Sequence, residues 1–250
     1  MAAEMSAGMG RWDDVSRHVD AASRIDATFA RQVRASLTLL GPFEPTPARL
    51  AQLRASTLMT AVLAPLPTVI RADSTPPWFE RGLEALVSRD SAVRIAAEHA
   101  LEAPHSNPEN DALFTFQSNI LKARALQQAG ANHQALALLE RSWLATGVTS
   151  APQYARGSER LLRADLLHAV GRDREAITWY QSIPEDLGMG IVYAAPAHLG
   201  AARAYDALGD RAAAAREYGR VAALWREATG ELKAIAEDAR HHVESARQDH

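Results

Sequence analysis

The chain has 250 residues, of which 47% are hydrophobic and 23% charged, and its formal net charge is −3. This balance is typical of a globular protein with ample material for a core, and it argues against nucleic acid as a partner, because phosphate binding needs clustered cations. The chain has no cysteine, which excludes disulfides and thiolate metal sites. Since the amino terminus lacks a signal-peptide core and the longest apolar run contains two prolines, we expect a cytoplasmic protein that contacts no membrane.

The amino-terminal segment GMGRWDDVSRHVDAASRID, residues 8–26, predicts the second helix of a helical hairpin whose turn contains Gly10. Val15, Val19 and Ala22 recur at helical spacing and would form its packed face. Only about nine residues precede this helix, so we expect the chain to begin inside a repeat. Its apolar face would then meet a second copy of the chain, an upstream domain, or residues 27–70 folding back.

The next part of the chain predicts helices without a regular repeat. Residues 27–40 and 48–63 have helical patterns, and the proline-containing segment GPFEPTP separates them. The stretch APHSNPEN, residues 103–110, is the most loop-like part of the sequence. We therefore predict an irregular helical half over residues 1–106.

Residues 107–229 contain an internal repeat that aligns without gaps around a glycine. Its copies are NILKARALQQAGANHQALALLERS (119–142), RLLRADLLHAVGRDREAITWYQSI (160–183) and HLGAARAYDALGDRAAAAREYGRV (198–221). The glycines are Gly130, Gly171 and Gly209, spaced 41 and 38 residues apart. Alanine stands seven residues before and five residues after each glycine, at Ala123, Ala164 and Ala202 and at Ala135, Ala176 and Ala214. Larger residues stand four before and nine after, at Leu126, Leu167 and Tyr205 and at Leu139, Tyr180 and Tyr218.

Each of these residue types has a physical reason in a helical hairpin. A glycine ends the first helix in a left-handed conformation at little cost. Alanines allow the two helices to cross at close range, and the larger residues fill the space on either side. One hairpin cannot bury its whole apolar surface, so successive hairpins are expected to stack.

This pattern resembles divergent copies of the tetratricopeptide repeat, and the turn Gly209-Asp210 carries the resemblance best. The resemblance implies an all-α fold: a right-handed α-solenoid of antiparallel helix pairs, with three hairpins over 107–229. Residues 230–250 carry a narrow apolar stripe on a charged helix and predict a capping helix at the end of the stack. The segment 193–210 looks like the carboxy-terminal repeat tails of large bacterial signalling proteins.

Motifs for catalysis and metal binding are missing from the sequence. There is no nucleophile elbow, phosphate-binding loop or zinc-protease motif. Of the nine histidines only His241 and His242 are adjacent, and neighbouring side chains on a helix point about 100° apart, which holds one ion poorly. We therefore predict a protein that is not an enzyme and that binds neither metal nor cofactor.

In tetratricopeptide arrays the first helices of successive repeats line a concave groove. Carried over to this chain, the resemblance implies a partner-binding groove lined by Gln117, Arg124, Gln127, Gln128, Asp165, His168, Arg203 and Asp206. Arg124, Asp165 and Arg203 occupy the same place in three copies with alternating charge. They would form either a ladder of weak surface ion pairs or a polar strip that orients a ligand.

Two functions from different classes follow from these observations. The first is a scaffold that binds a protein or peptide partner in the groove, as a regulatory tail of a larger signalling system would. The second is an α-helical sensor that encloses a small ligand between its irregular and regular halves. A scaffold needs an open groove and a sensor needs a closed pocket, and the sequence leaves both open.

Overall fold

The computed structural model describes residues 2–25, 119–120, 122–141, 153–183 and 190–248. All regular secondary structure in these ranges is α-helical, and no strand occurs among them, which confirms the all-α prediction. The chain divides into two compact units, one formed by Met1–Arg24 with Arg156–His250 and the other by Ile25–Ala155. The boundary predicted near residue 106, and the helices predicted over 27–63, lie outside the described residues.

Nine helices can be followed through the described ranges. In chain order they are α1 (Ala2–Gly8), α2 (Trp12–Ser23), α3 (122–128, preceded by helical residues 119 and 120), α4 (Asn132–Arg141), α5 (Gln153–Ala169), α6 (Asp173–Gln181), α7 (Ile191–Ala207), α8 (Arg211–Leu224) and α9 (Glu231–Gln248). Helices α3 and α4 belong to the second unit, and the others belong to the first, with the boundary inside the first turn of α5.

The same turn joins the two helices of four hairpins: α1 to α2, α3 to α4, α5 to α6 and α7 to α8. Gly10, Gly130, Gly171 and Gly209 have φ values between 73° and 78°. In each turn the glycine N–H donates to the carbonyl three residues earlier, and the next N–H donates to the carbonyl five residues earlier. This pair of bonds is the Schellman motif, whose left-handed position glycine occupies at little cost.

The alanines of the repeat and the large residues nine positions after the glycine are buried. Of the large residues four positions before it, Leu167 is buried, whereas Leu126 and Tyr205 are half-buried. All six aligned alanines of the three copies are at most 2% exposed, and the residues nine positions after the glycine, Leu139, Tyr180 and Tyr218, are at most 4% exposed. In the amino-terminal hairpin the matching positions hold Ala3, Val15 and Val19, all buried. The four hairpins therefore use the same packing positions, with valine replacing one alanine in the first.

Helix α7 is the central helix of the first unit. It packs against α1, α6 and α8, and every residue from 192 to 202 is buried. A helix that is buried on all sides belongs to a core rather than to a surface. Its exposed residues, Arg203 among them, are therefore confined to the end near the Gly209 turn.

The amino-terminal hairpin packs on the carboxy-terminal part of the same unit. The backbone N–H of Thr229 donates to the carbonyl of Gly10 at 3.3 Å, and Arg11 Nη1 lies 3.2 Å from Glu227 Oε2. A Cβ on Gly8 would lie 2.8 Å from the carbonyl oxygen of Ile191, so α1 approaches the start of α7 closely. The amino-terminal hairpin thus has an intramolecular partner within its own unit, and the expected contact with residues 27–70 lies outside the described residues.

Candidate functional site

The residues predicted to line the groove are divided between the two units. Gln117 lies outside the described residues. Arg124 and Gln127 are half-buried and Gln128 is exposed, all three on α3 of the second unit. The remaining four, Asp165, His168, Arg203 and Asp206, belong to the first unit, on α5 and α7.

Two of these predicted residues accept hydrogen bonds from tyrosines of their own hairpins. Tyr180 Oη donates to Asp165 Oδ1 at 2.7 Å, and Tyr218 Oη donates to Asp206 Oδ2 at 2.9 Å. The tyrosines occupy the same repeat position, but Asp165 stands six residues before its glycine and Asp206 only three. Burial raises the pKa of both phenols, and the neighbouring carboxylates raise it further, so both tyrosines stay protonated donors.

Arg203 lies close to both tyrosine–aspartate pairs. It is exposed, and its positive charge acts to lower the pKa of Tyr180 and Tyr218, against the larger effect of their burial. His168 Nδ1 lies 2.5 Å from Asp173 Oδ1 and ties the end of α5 to the start of α6. The structure thus brings Asp165, Arg203 and Asp206 into one neighbourhood, near the turns of two hairpins.

A second site, which we did not predict from the sequence, is a cavity of about 190 Å³ between α6, α7 and α8. One face of α7 contributes Ala194, Ala197, His198 and Ala201, which are spaced as one stripe along the helix. The other walls come from the end of α6 and from α8, with Tyr180, Gln181, Ile183, Glu217 and Arg220. The small alanines leave this space open. In the sequence, the pattern that could have indicated the cavity is three alanines on one helix face beside a histidine.

A buried acid–histidine pair forms the polar wall of the cavity. His198 Nδ1 lies 2.6 Å from Glu217 Oε2, and the two residues are only 7% and 8% exposed. Arg220 Nη1 lies 3.7 Å from the same carboxylate oxygen. The hydrogen bond from His198 is the largest effect on the pKa of Glu217 and lowers it, although burial acts in the opposite direction. The carboxyl group is therefore ionised at neutral pH.

A further buried ion pair lies within α5 and contacts the ring of Trp179 on α6. Arg163 Nε donates to Glu159 Oε1 at 2.7 Å, and its guanidinium lies 4.6 Å from the ring centre of Trp179. Burial raises the pKa of Glu159, and the charge of Arg163 opposes this shift. The arginine is thus held by a carboxylate and an aromatic ring at once, which fixes the crossing of the two helices.

The described residues hold no cluster of three or more histidine, aspartate or glutamate side chains that fits a metal ion. His241 and His242 are exposed, and His242 stacks on the ring of Tyr218 with the ring centres 4.1 Å apart. Within the same residues, none of the helices combines the length and the apolar character that a membrane crossing requires.

Comparisons with known proteins return no match: no protein-family model, no curated protein and no solved structure is similar to this chain.

Proposed function

We propose that the chain is a helical-repeat scaffold of the tetratricopeptide type that binds a protein segment and catalyses no reaction. The observation that carries the proposal is the repetition of one hairpin, with the same turn and the same buried positions around Gly10, Gly130, Gly171 and Gly209. Arrays of such units typically serve as extended binding surfaces, because each hairpin repeats the same exposed positions at a regular interval.

Contacts between successive hairpins of the first unit support the stacking of antiparallel pairs, from which the proposed right-handed solenoid would be built. A Cβ on Gly157 of α5 would lie 2.6 Å from the ring of Tyr193 on α7. A Cβ on Gly200 of α7 would overlap the ring of Tyr180 on α6. In both places a glycine makes room for an aromatic ring of the neighbouring hairpin, and such close contact between neighbours is what a solenoid requires.

The proposed binding surface is the part of the predicted groove that belongs to the first unit, with Arg203 as its principal residue beside Asp165, His168 and Asp206. Because residues 192–202 of α7 are buried, a partner would reach this helix only near its end, where Arg203 and Asp206 are exposed. Arginine is favoured at such positions, since its planar guanidinium makes directed hydrogen bonds to carboxylates and backbone carbonyls. An acidic or amide-rich peptide segment in the cytoplasm fits this chemistry best.

A comparison of two arginine variants tests the groove. We expect a cellular partner to bind both the native chain and the control variant Arg174→Ala. This control removes an exposed arginine from α6, the second helix of its hairpin. The same partner should bind Arg203→Ala at least about fivefold more weakly, since truncating a central contact costs about 1 kcal/mol or more. Equal circular dichroism spectra of the three proteins serve as the control for folding. A partner that is lost with Arg174→Ala and kept with Arg203→Ala would contradict the groove.

The cavity beside His198 and Glu217 favours a second candidate, an α-helical sensor of a small ligand. Enclosed spaces with a few convergent polar groups are the usual sites for small molecules. Mass spectrometry of metabolites extracted from the purified protein tests this candidate. A compound enriched with the native chain and depleted with a cavity variant, Ala197→Leu, would support it, and equal recovery from both proteins would oppose it.

A further inference from the structure

The cavity between α6, α7 and α8 presents hydrogen-bond acceptors that the protein leaves unused. Both described contacts to the Glu217 carboxylate, from His198 and Arg220, involve Oε2, and no described group contacts Oε1. Gln181 Nε2 donates to Tyr205 Oη at 3.2 Å, which leaves the amide carbonyl of Gln181 as an acceptor. Two acceptors on the cavity wall are therefore available to a donor, one on the buried Glu217 and one on the exposed Gln181.

The Glu217 acceptor is the more demanding of the two. The residue is 8% exposed and its carboxyl group is ionised, but only Oε2 has a described contact, from His198 and Arg220. A buried charged oxygen without a hydrogen bond of its own loses part of its solvation free energy. The cavity of about 190 Å³ exceeds many times the roughly 15 Å³ that one water molecule needs. A molecule larger than water can therefore supply the missing donor.

The remaining walls are suited to a hydrocarbon chain. Ala194, Ala197 and Ala201 form an apolar stripe on α7, and Ile183 faces the cavity from the end of α6. Methylene groups packed on this stripe would be removed from water, which favours binding. The walls thus suit a ligand with a donor head and a short apolar body.

We propose that this cavity binds a primary alkylammonium group, whose N–H bonds reach Glu217 Oε1 and the Gln181 carbonyl while its methylenes pack on the α7 alanines. The group belongs either to a small free amine or to a lysine side chain of a partner, and the recognition chemistry is the same. This inference rests on the second proposed function, the small-ligand sensor with its cavity, and not on the proposed groove.

Arg220 and Glu217 allow a test in which removing one charge strengthens ammonium binding and removing the other weakens it. Its guanidinium is half exposed and lies 3.7 Å from the Glu217 carboxylate, where its charge opposes a bound cation. Removing the arginine should therefore strengthen ammonium binding, and removing the carboxylate charge should weaken it. An anion site would show the reverse pattern.

The experiment is a titration of the full chain followed by NMR of its alanine methyl groups. The probes are n-butylammonium chloride and N-acetyl-lysine methylamide, and tetramethylammonium chloride, a cation without N–H donors, is the reference at equal ionic strength. We expect saturable shifts of the Ala194, Ala197 and Ala201 methyls with n-butylammonium, the lysine derivative, or both, and none with the reference. Saturation by the lysine derivative alone assigns the site to a partner side chain, and saturation by n-butylammonium assigns it to free amines.

Four variants complete the test. Glu217→Gln should weaken binding about tenfold and Gln181→Met should weaken it less, because a hydrogen bond to a charged group is worth more than one to an amide. Arg220→Gln should tighten binding several-fold, and Arg174→Ala, at an exposed position that does not line the cavity, should leave it unchanged. Since Gln181 and Arg220 are exposed, their variants keep the test decisive even if Glu217→Gln does not fold.

Equal shifts with tetramethylammonium, no saturable shift of the native chain, or weaker binding by Arg220→Gln would each overturn the proposal. If extracted metabolites are enriched while the amines fail, the sensor stands with a different ligand.

Discussion

The indole nitrogen of Trp225 donates a buried hydrogen bond of 3.1 Å to the carbonyl oxygen of Gly8, across a sequence separation of 217 residues. Gly8 is the last residue of α1, where helix carbonyls lack intrahelical partners, so the indole satisfies one of them. Trp225 itself is 1% exposed. The bond therefore fastens the amino-terminal hairpin to the turn between α8 and α9.

Trp225→Phe should release this hairpin selectively. The substitution keeps an aromatic ring but removes the donor, which leaves the Gly8 carbonyl buried and unsatisfied at a cost of about 1–3 kcal/mol. We expect faster amide hydrogen exchange in residues 2–23 and little change in α5 and α6. Trp179→Phe, whose ring lies over Arg163 away from this contact, is the control. Unchanged exchange in residues 2–23 would show that the hairpin is held by other contacts.

Gly200→Ala and Gly219→Ala should change stability in opposite directions, although both replace a helical glycine. A Cβ at Gly200 would overlap the ring of Tyr180, whereas a Cβ at Gly219 meets only Val243 Cγ2 at 3.9 Å. We expect Gly200→Ala to lower the free energy of unfolding by about 1–3 kcal/mol through overpacking. Gly219→Ala should raise it by up to about 1 kcal/mol, the difference in helix propensity. Urea denaturation of both variants measures this contrast, and a shared direction would contradict the packing between α6 and α7.

The repeat alignment makes a prediction of its own for α8. Ala214 is 2% exposed at a helix crossing, and Ala212 on the same helix is exposed. Ala214→Leu should therefore lower the free energy of unfolding by about 1–3 kcal/mol, and Ala212→Leu should change it by less than about 0.5 kcal/mol. Thermal melts of the two variants under the same conditions provide the comparison. Equal melting temperatures would speak against close packing at the aligned alanine.

The lowered pKa of Glu217 predicts how stability depends on pH. A carboxyl group whose pKa is lower in the folded state stabilises that state fully above its unfolded pKa, near 4.5, and this contribution disappears as pH falls through the folded value. Below pH 4.5 the native chain should therefore lose stability more steeply than Glu217→Gln. Free energies of unfolding measured from neutral to acid pH test this, with the exposed Glu237→Gln as the control. If the free energy of unfolding fell equally steeply at acid pH in the native chain and in Glu217→Gln, the hydrogen bond between Glu217 and His198 would not contribute to stability.

The sequence by itself determined the turns and the close helix crossings. Gly10, Gly130, Gly171 and Gly209 could be identified because a left-handed residue between two helices is a local requirement that glycine meets best. The aligned alanines could be identified for a similar reason, since each hairpin brings together residues that are near one another along the chain. The all-α fold follows from these local rules.

Only the tertiary structure decided which surfaces remain exposed. Because α7 is surrounded by α1, α6 and α8, most of a helix that was expected to line an open groove is buried. The same packing creates the cavity beside His198 and Glu217, two residues 19 positions apart whose contact depends on the crossing of α7 and α8. The bond between Trp225 and Gly8 is the extreme case, since a contact across 217 residues leaves no periodic trace in the sequence. This bond depends on how two hairpins pack on each other, and residue spacing within one hairpin carries no information about that packing.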